Sequence, residues 1–133
     1  MSASPAESTQ SICIRIAIGY LVATVVCAVF GAVYEMFSHG VYACGMLYAF
    51  AFPLLGGLLP ALLLARYTRI SPFGASLQLW HFGISALTVG TLFSGALTIY
   101  GTSSQLTKVY WLAGAVCLLL SLLAAMLLPA STD

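Results

Sequence analysis

Four apolar stretches free of charge run through the chain: Ile16 to Tyr34, Met36 to Ala65, Ile70 to Thr107 and Val109 to Thr132. Each can hold one helix of about 20 residues, the length that crosses the hydrocarbon of a bilayer. The third stretch is the longest, but Ser71-Pro72 opens it and Gly101-Thr102-Ser103-Ser104 closes it, so it holds one helix. The predicted spans are roughly 12–38, 41–65, 73–100 and 108–128. The period-two alternation of a membrane barrel is absent, and at this apolarity only helices satisfy their own backbone in lipid. The expected fold is therefore an all-α integral membrane protein. Its four transmembrane helices form an up-down bundle in a single domain over 1–133, preceded by a polar tail over 1–11.

Charge sharpens this picture. Lys and Arg number 4 and Asp and Glu 3, so charged residues make up 5% of the chain while apolar residues make up 62%. A soluble domain carries roughly 25% charged residues to solvate its surface. The composition excludes a soluble enzyme, a disordered chain and a collagen-like chain. A net charge of +1 gives no basic field, so no nucleic-acid partner is expected. The expected partners are the lipid bilayer and either further copies of the chain or another membrane protein, in a multi-pass protein of the cell inner or plasma membrane.

The head of the chain, MSASPAESTQ, is polar without being basic, and the first apolar run ends in Tyr34-Glu35 with no clean small-x-small site. That reads as an uncleaved helix rather than a signal peptide. With both termini inside, Arg15, Arg66 and Arg69 are cytoplasmic and only Lys108 is outside, which the positive-inside rule favours. Tyr34, Phe37, Tyr42, Tyr100, Tyr110 and Trp111 then flank the outer interface, and Tyr67, Phe73 and Trp80 sit toward the inner one. The cysteines, Cys13, Cys27, Cys44 and Cys117, form no CxxC pair and read as small packing residues.

Polar residues inside a span are the candidates for function. His81 follows Phe73 by about 12 Å of helix, well inside the hydrocarbon. Ser85 and Thr88 share its face by the i, i+4, i+7 rule. Folding the spans back on one another puts His81 level with Gly56-Gly57 on the second helix and with Tyr20 and Thr24 on the first. These seven residues form the candidate intramembrane pocket. It reads either as a histidine hydrogen-bonded to Tyr20, Thr24 or a carbonyl, or as a substrate, proton or haem contact. Pro53 and Pro60 interrupt the second span, and each crowds the carbonyl four residues back, Ala49 and Gly56. A plain kink or a cavity-lining break both fit.

At the outer end, Glu35 and His39 are four apart and would share a face on a continuing helix, with Gly40 in the left-handed position past its end. Lys108 lies at the same level, so Glu35, His39 and Lys108 are expected to form one polar cluster. Glu35 and a single His supply too few ligands for structural zinc, and no metal site is expected. On the third helix, Ala86-x3-Gly90-x3-Ser94 forms a small-residue ladder of the kind that lets helices approach closely.

No nucleophile–base pair or cofactor motif stands out, so no enzyme is expected and no catalytic residue is assigned. His39 and His81 lie roughly 27 Å apart in depth and cannot share one haem within a protomer. A haem would need His81 from two protomers, His81 alone, or a methionine partner such as Met126, which is level with His81. The leading expectation is a small polytopic protein acting as a subunit or partner of a larger membrane system. The alternatives are an oligomeric transporter or channel with a path near His81 and Pro53–Pro60, and an electron-transfer subunit binding haem or quinone at His81.

Overall fold

The computed structural model describes residues 5–40, 43–66 and 74–127, which are helical apart from short turns. Tyr42, Tyr67, Arg69, Phe73 and the outermost residues of the second, third and fourth predicted spans lie outside the described residues. Four helical stretches are long and apolar enough to cross a membrane: Gln10–Phe37, Cys44–Leu63, Ala75–Ile99 and Leu106–Leu127.

Helix α1 spans Pro5–Phe37. It starts earlier than the predicted span because Pro5 suits a first turn, where its missing N–H costs nothing. Residues 5–11 of the polar head are thus helical. One narrow stripe of α1 is buried: Cys13, Ala17, Thr24, Cys27 and Gly31, with Tyr20 half-buried among them. The alternating four- and three-residue steps are the seam of a left-handed helix pair. The helix stops at Phe37, where Ser38 donates through both its backbone N–H and its hydroxyl to the Glu35 carbonyl, at 3.3 and 2.9 Å. His39 at φ +49° and Gly40 at φ +95° then turn the chain.

The second span is broken rather than merely kinked. It runs as α2 (Cys44–Leu47), a turn over 48–50, α3 (Ala51–Pro53), a π-helical segment (Leu54–Leu58) and α4 (Leu59–Arg66). The two prolines cause this. Neither can donate to the carbonyl four residues before it, and widening the turn to a π-segment carries the helix past Pro60.

Helix α5 (Ala75–Ile99) and helix α6 (Leu106–Leu127) are unbroken. Gly101 at φ +71° follows α5, and Ser104 Oγ accepts from the Leu106 N–H at the start of α6. Successive spans run antiparallel: Gly31 meets Met46, Gly95 meets Met46, and Gly90 meets Tyr110. We term the end where α1 stops and α6 begins the upper end.

The spans do not close into a four-cornered bundle. Helix α5 is the hub. It takes α6 along one face and the second span along another, and it touches α1 at few positions. Helices α1 and α6 do not meet. The α5–α6 seam is a close approach of two backbones. A Cβ on Gly83 would stand 3.1 Å from the Gly114 carbonyl oxygen, and a Cβ on Gly114 would stand 3.1 Å from the Gly83 oxygen. Lower down, Ser76 Oγ donates to the Ser121 carbonyl at 2.8 Å and Ser121 Oγ donates to the Ser76 carbonyl at 2.6 Å. Of the small-residue ladder Ala86, Gly90 and Ser94, the seam uses one member. Gly90 belongs to it, against Tyr110, but Gly83 and Leu87 complete it, while Ala86 and Ser94 are only half-buried. A seven-residue glycine repeat follows the helix face more closely than a run of fours.

Candidate functional site

The residues brought together at mid-depth come from three spans. Tyr20 on α1 and His81 on α5 are joined by a side-chain hydrogen bond, Tyr20 Oη to His81 Nδ1, at 2.5 Å. An imidazole nitrogen is a better acceptor than a phenol oxygen, so the phenol O–H is the natural donor and the proton of His81 then rests on Nε2. The two rings lie with centroids 5.4 Å apart. Tyr20 reaches across because residue 57 is a glycine: a Cβ there would stand only 2.0 Å from Cδ1 of the phenol ring. Ile84 likewise fills the place of a Cβ on Gly56.

Trp80 completes the arrangement. Its indole Nε1–H donates to the Gly56 carbonyl at 2.6 Å. Gly56 is the residue whose carbonyl Pro60 cannot serve, so the tryptophan supplies a donor to an acceptor that the proline leaves without its helix partner. Reading Trp80 as an interfacial aromatic misses this. The signal that points to it is Trp80 beside His81, level with a glycine four residues before a proline.

The other expected pocket members stay with their own helices. Thr24 donates to the Tyr20 carbonyl, Ser85 to the His81 carbonyl and Thr88 to the Ile84 carbonyl, at 2.7, 2.8 and 2.7 Å. Ser85 is exposed and Thr88 buried; they keep His81's side of the helix, but neither hydroxyl bonds the His81 ring. Hydroxyls in helices readily bond the carbonyl four residues back, and that local bond prevails here.

Below the Tyr20–His81 pair, Cys13, Gly57, Pro60, Trp80 and His81 border a cavity of about 10 Å³. That is room for about one water. Met126, the proposed second haem ligand, is 80% exposed on α6, which packs on another face of α5.

The upper-end cluster does not form. Because α1 stops at Phe37, His39 leaves the helix face of Glu35, and its Nδ1–H donates to the Phe37 carbonyl at 2.8 Å. Glu35 and Lys108 make no ion pair with each other or with any other described residue, since α1 and α6 lie apart. The expectation assumed that helices at one level are neighbours, which the hub arrangement prevents. Among the described residues no three of His, Cys, Asp or Glu gather as a metal site.

No protein-family model, curated protein or solved structure matches the chain.

Proposed function

We propose that this chain is a multi-pass membrane protein, without catalytic activity of its own, that works as a subunit or partner of other membrane-spanning chains. The observation that carries this reading is the contrast between inside and outside. The interior polar groups are bonded to one another, and the cavity beside them holds about one water. The outward faces of α1 and α6, in contrast, are long and apolar, from Ile14 to Phe37 and from Leu106 to Leu127. In this reading the termini are cytoplasmic, with Arg15 and Arg66 at the inner surface of the inner or plasma membrane. Extraction of the tagged full chain into lipid nanodiscs, with mass spectrometry of what co-purifies, tests it. A membrane protein recovered at fixed stoichiometry, or a fixed homo-oligomer, is the expected result; a lone monomer at native abundance overturns it.

A second reading rests on one observation, the broken second span at the level of His81. In transporters, interrupted helices line substrate paths. In an oligomer, the Pro53–Pro60 segment and His81 would then border such a path. Ion or solute flux in proteoliposomes, lost in His81→Phe, is the result that would favour it over the first.

A further inference from the structure

The two outermost helices present broad apolar outward faces, and on each a row of residues in helical steps leads to a charge at the upper end. On α1, Ile18, Leu21, Val25, Ala28, Ala32 and Glu35 follow one another in steps of three and four, and none before Glu35 is buried. On α6, Lys108, Leu112, Ala115, Leu119, Leu122 and Met126 do the same, and all are exposed. Such steps keep residues on one side of a helix. From Ile18 to Glu35 is about 26 Å of helix, and from Lys108 to Met126 about 27 Å. The stripes match in length and in the height of their charges, and the charges are opposite.

Neither charge is paired among the described residues. Glu35 and Lys108 have no ion-pair partner among the described residues, and the helices that carry them lie on separate sides of the molecule. Beside Glu35 an open groove of about 430 Å³, bordered by Ala32, Met36, Gly40 and Leu47, leaves the carboxylate approachable from outside.

We propose that a second copy of this chain docks here, with its α6 stripe along the α1 stripe of the first copy and its Lys108 against Glu35. This rests on the reading that the protein works through its outward helix faces, and it names the partner. Two copies inserted the same way present α1 and α6 antiparallel. Their upper ends then coincide, and a lysine at the start of α6 meets a glutamate near the end of α1. Charge pairing at one end fixes the register of two apolar stripes that could otherwise slide past each other.

The test is energy transfer between labelled full-length chains in liposomes, followed as protein density falls. The parent associates. Glu35→Lys and Lys108→Glu each weaken association roughly tenfold, because like charges now face each other at the contact. The two reversed variants mixed together recover association, because every contact between unlike copies is again complementary. The introduced lysine on α1 of one variant faces the introduced glutamate on α6 of the other, and the unchanged Glu35 and Lys108 face each other in the converse contact. Parent chains that stay dispersed, reversals that associate like the parent, or a mixture that fails to recover, each overturn the proposal. If circular dichroism shows that a reversed variant loses helix, Glu35→Gln and Lys108→Met take its place, and each must weaken association by a smaller factor. A chain that stays dispersed yet holds a different membrane protein at fixed stoichiometry sinks the self-pairing and leaves the broader reading standing; a chain that does neither sinks both.

Discussion

The α5–α6 seam and the junction of α1 with the second span are held by different means. In the seam, both helices are unbroken; the Leu118 and Leu87 side chains fill the places of a Cβ on Gly83 and Gly114, and each place also lies 3.1 Å from the other glycine's carbonyl oxygen. The serine pair repeats one bond in both directions, and both acceptors are carbonyls of helix backbone. At the junction, the second span is broken, and large side chains from its neighbours enter the break: Tyr20 over Gly57 and Trp80 onto the Gly56 carbonyl. Helices surrounded by hydrocarbon gain little from apolar burial against each other, so they cohere by close packing and by polar bonds. The seam relies chiefly on close packing. The junction relies on polar bonds that an irregular backbone makes available, and each of those bonds depends on one particular side chain.

That contrast can be broken at the junction first. Gly57→Ala puts a methyl group where the Tyr20 ring stands, and the ring is tied to His81, so it cannot withdraw without losing its bond. Overpacking of this kind costs about 1–3 kcal/mol, and this site belongs at the upper end of that range. Reversible unfolding in bicelles, followed by helix content, should show the loss; adding Tyr20→Leu should restore part of it. Equal stability of parent and Gly57→Ala would mean that the ring is not held.

Trp80→Phe is expected to have a smaller effect. It keeps an aromatic ring and removes the donor to Gly56, at about 1–1.7 kcal/mol, the upper part of the range for a polar bond between membrane helices. A double cycle with Pro60→Ala isolates the cause. Alanine restores the N–H that Gly56 lacks, so the cost of losing the tryptophan donor should shrink. An unchanged cost would separate the indole bond from the proline.

Smallest is the serine clasp. Ser76→Ala and Ser121→Ala should each cost about 0.6 kcal/mol, because glycine packing in the rest of the seam remains. Either variant falling as far as Gly57→Ala would place the strength of the seam in its polar pair and reverse the comparison.

What can be read from the sequence follows the same division. Charges and turn residues bracket the four spans, and equal depth on adjacent hairpins brings Tyr20, Gly57 and His81 to one level. Pro60 points to the Gly56 carbonyl because proline acts at a fixed distance along the chain. Contacts between faces are harder to read. Depth does not say which helices are neighbours, so Glu35 and Lys108 at one height look like partners although α5 and the second span separate their helices. Helical periodicity does not say whether a hydroxyl turns outward or back to its own carbonyl, and Thr24, Ser85 and Thr88 all turn back. Nor does it say where a helix ends by a residue or two, and at Phe37 that margin decides where His39 goes.

The π-segment has a consequence for counting. A turn over Leu54–Leu58 that closes on the fifth residue rather than the fourth contains one residue more than an α-helix needs. Removing one residue there would tighten the turn to α-helical spacing and rotate α3 against α4 by about 100°. Met46, beyond the turn over 48–50, is seated against both Gly31 and Gly95, and that seat depends on the direction in which α3 leaves the π-segment. The surplus residue therefore acts as a phase setting. It allows the lower half of the span to offer glycines to Tyr20 and Ile84 while the upper half turns a methionine into the gap between α1 and α5.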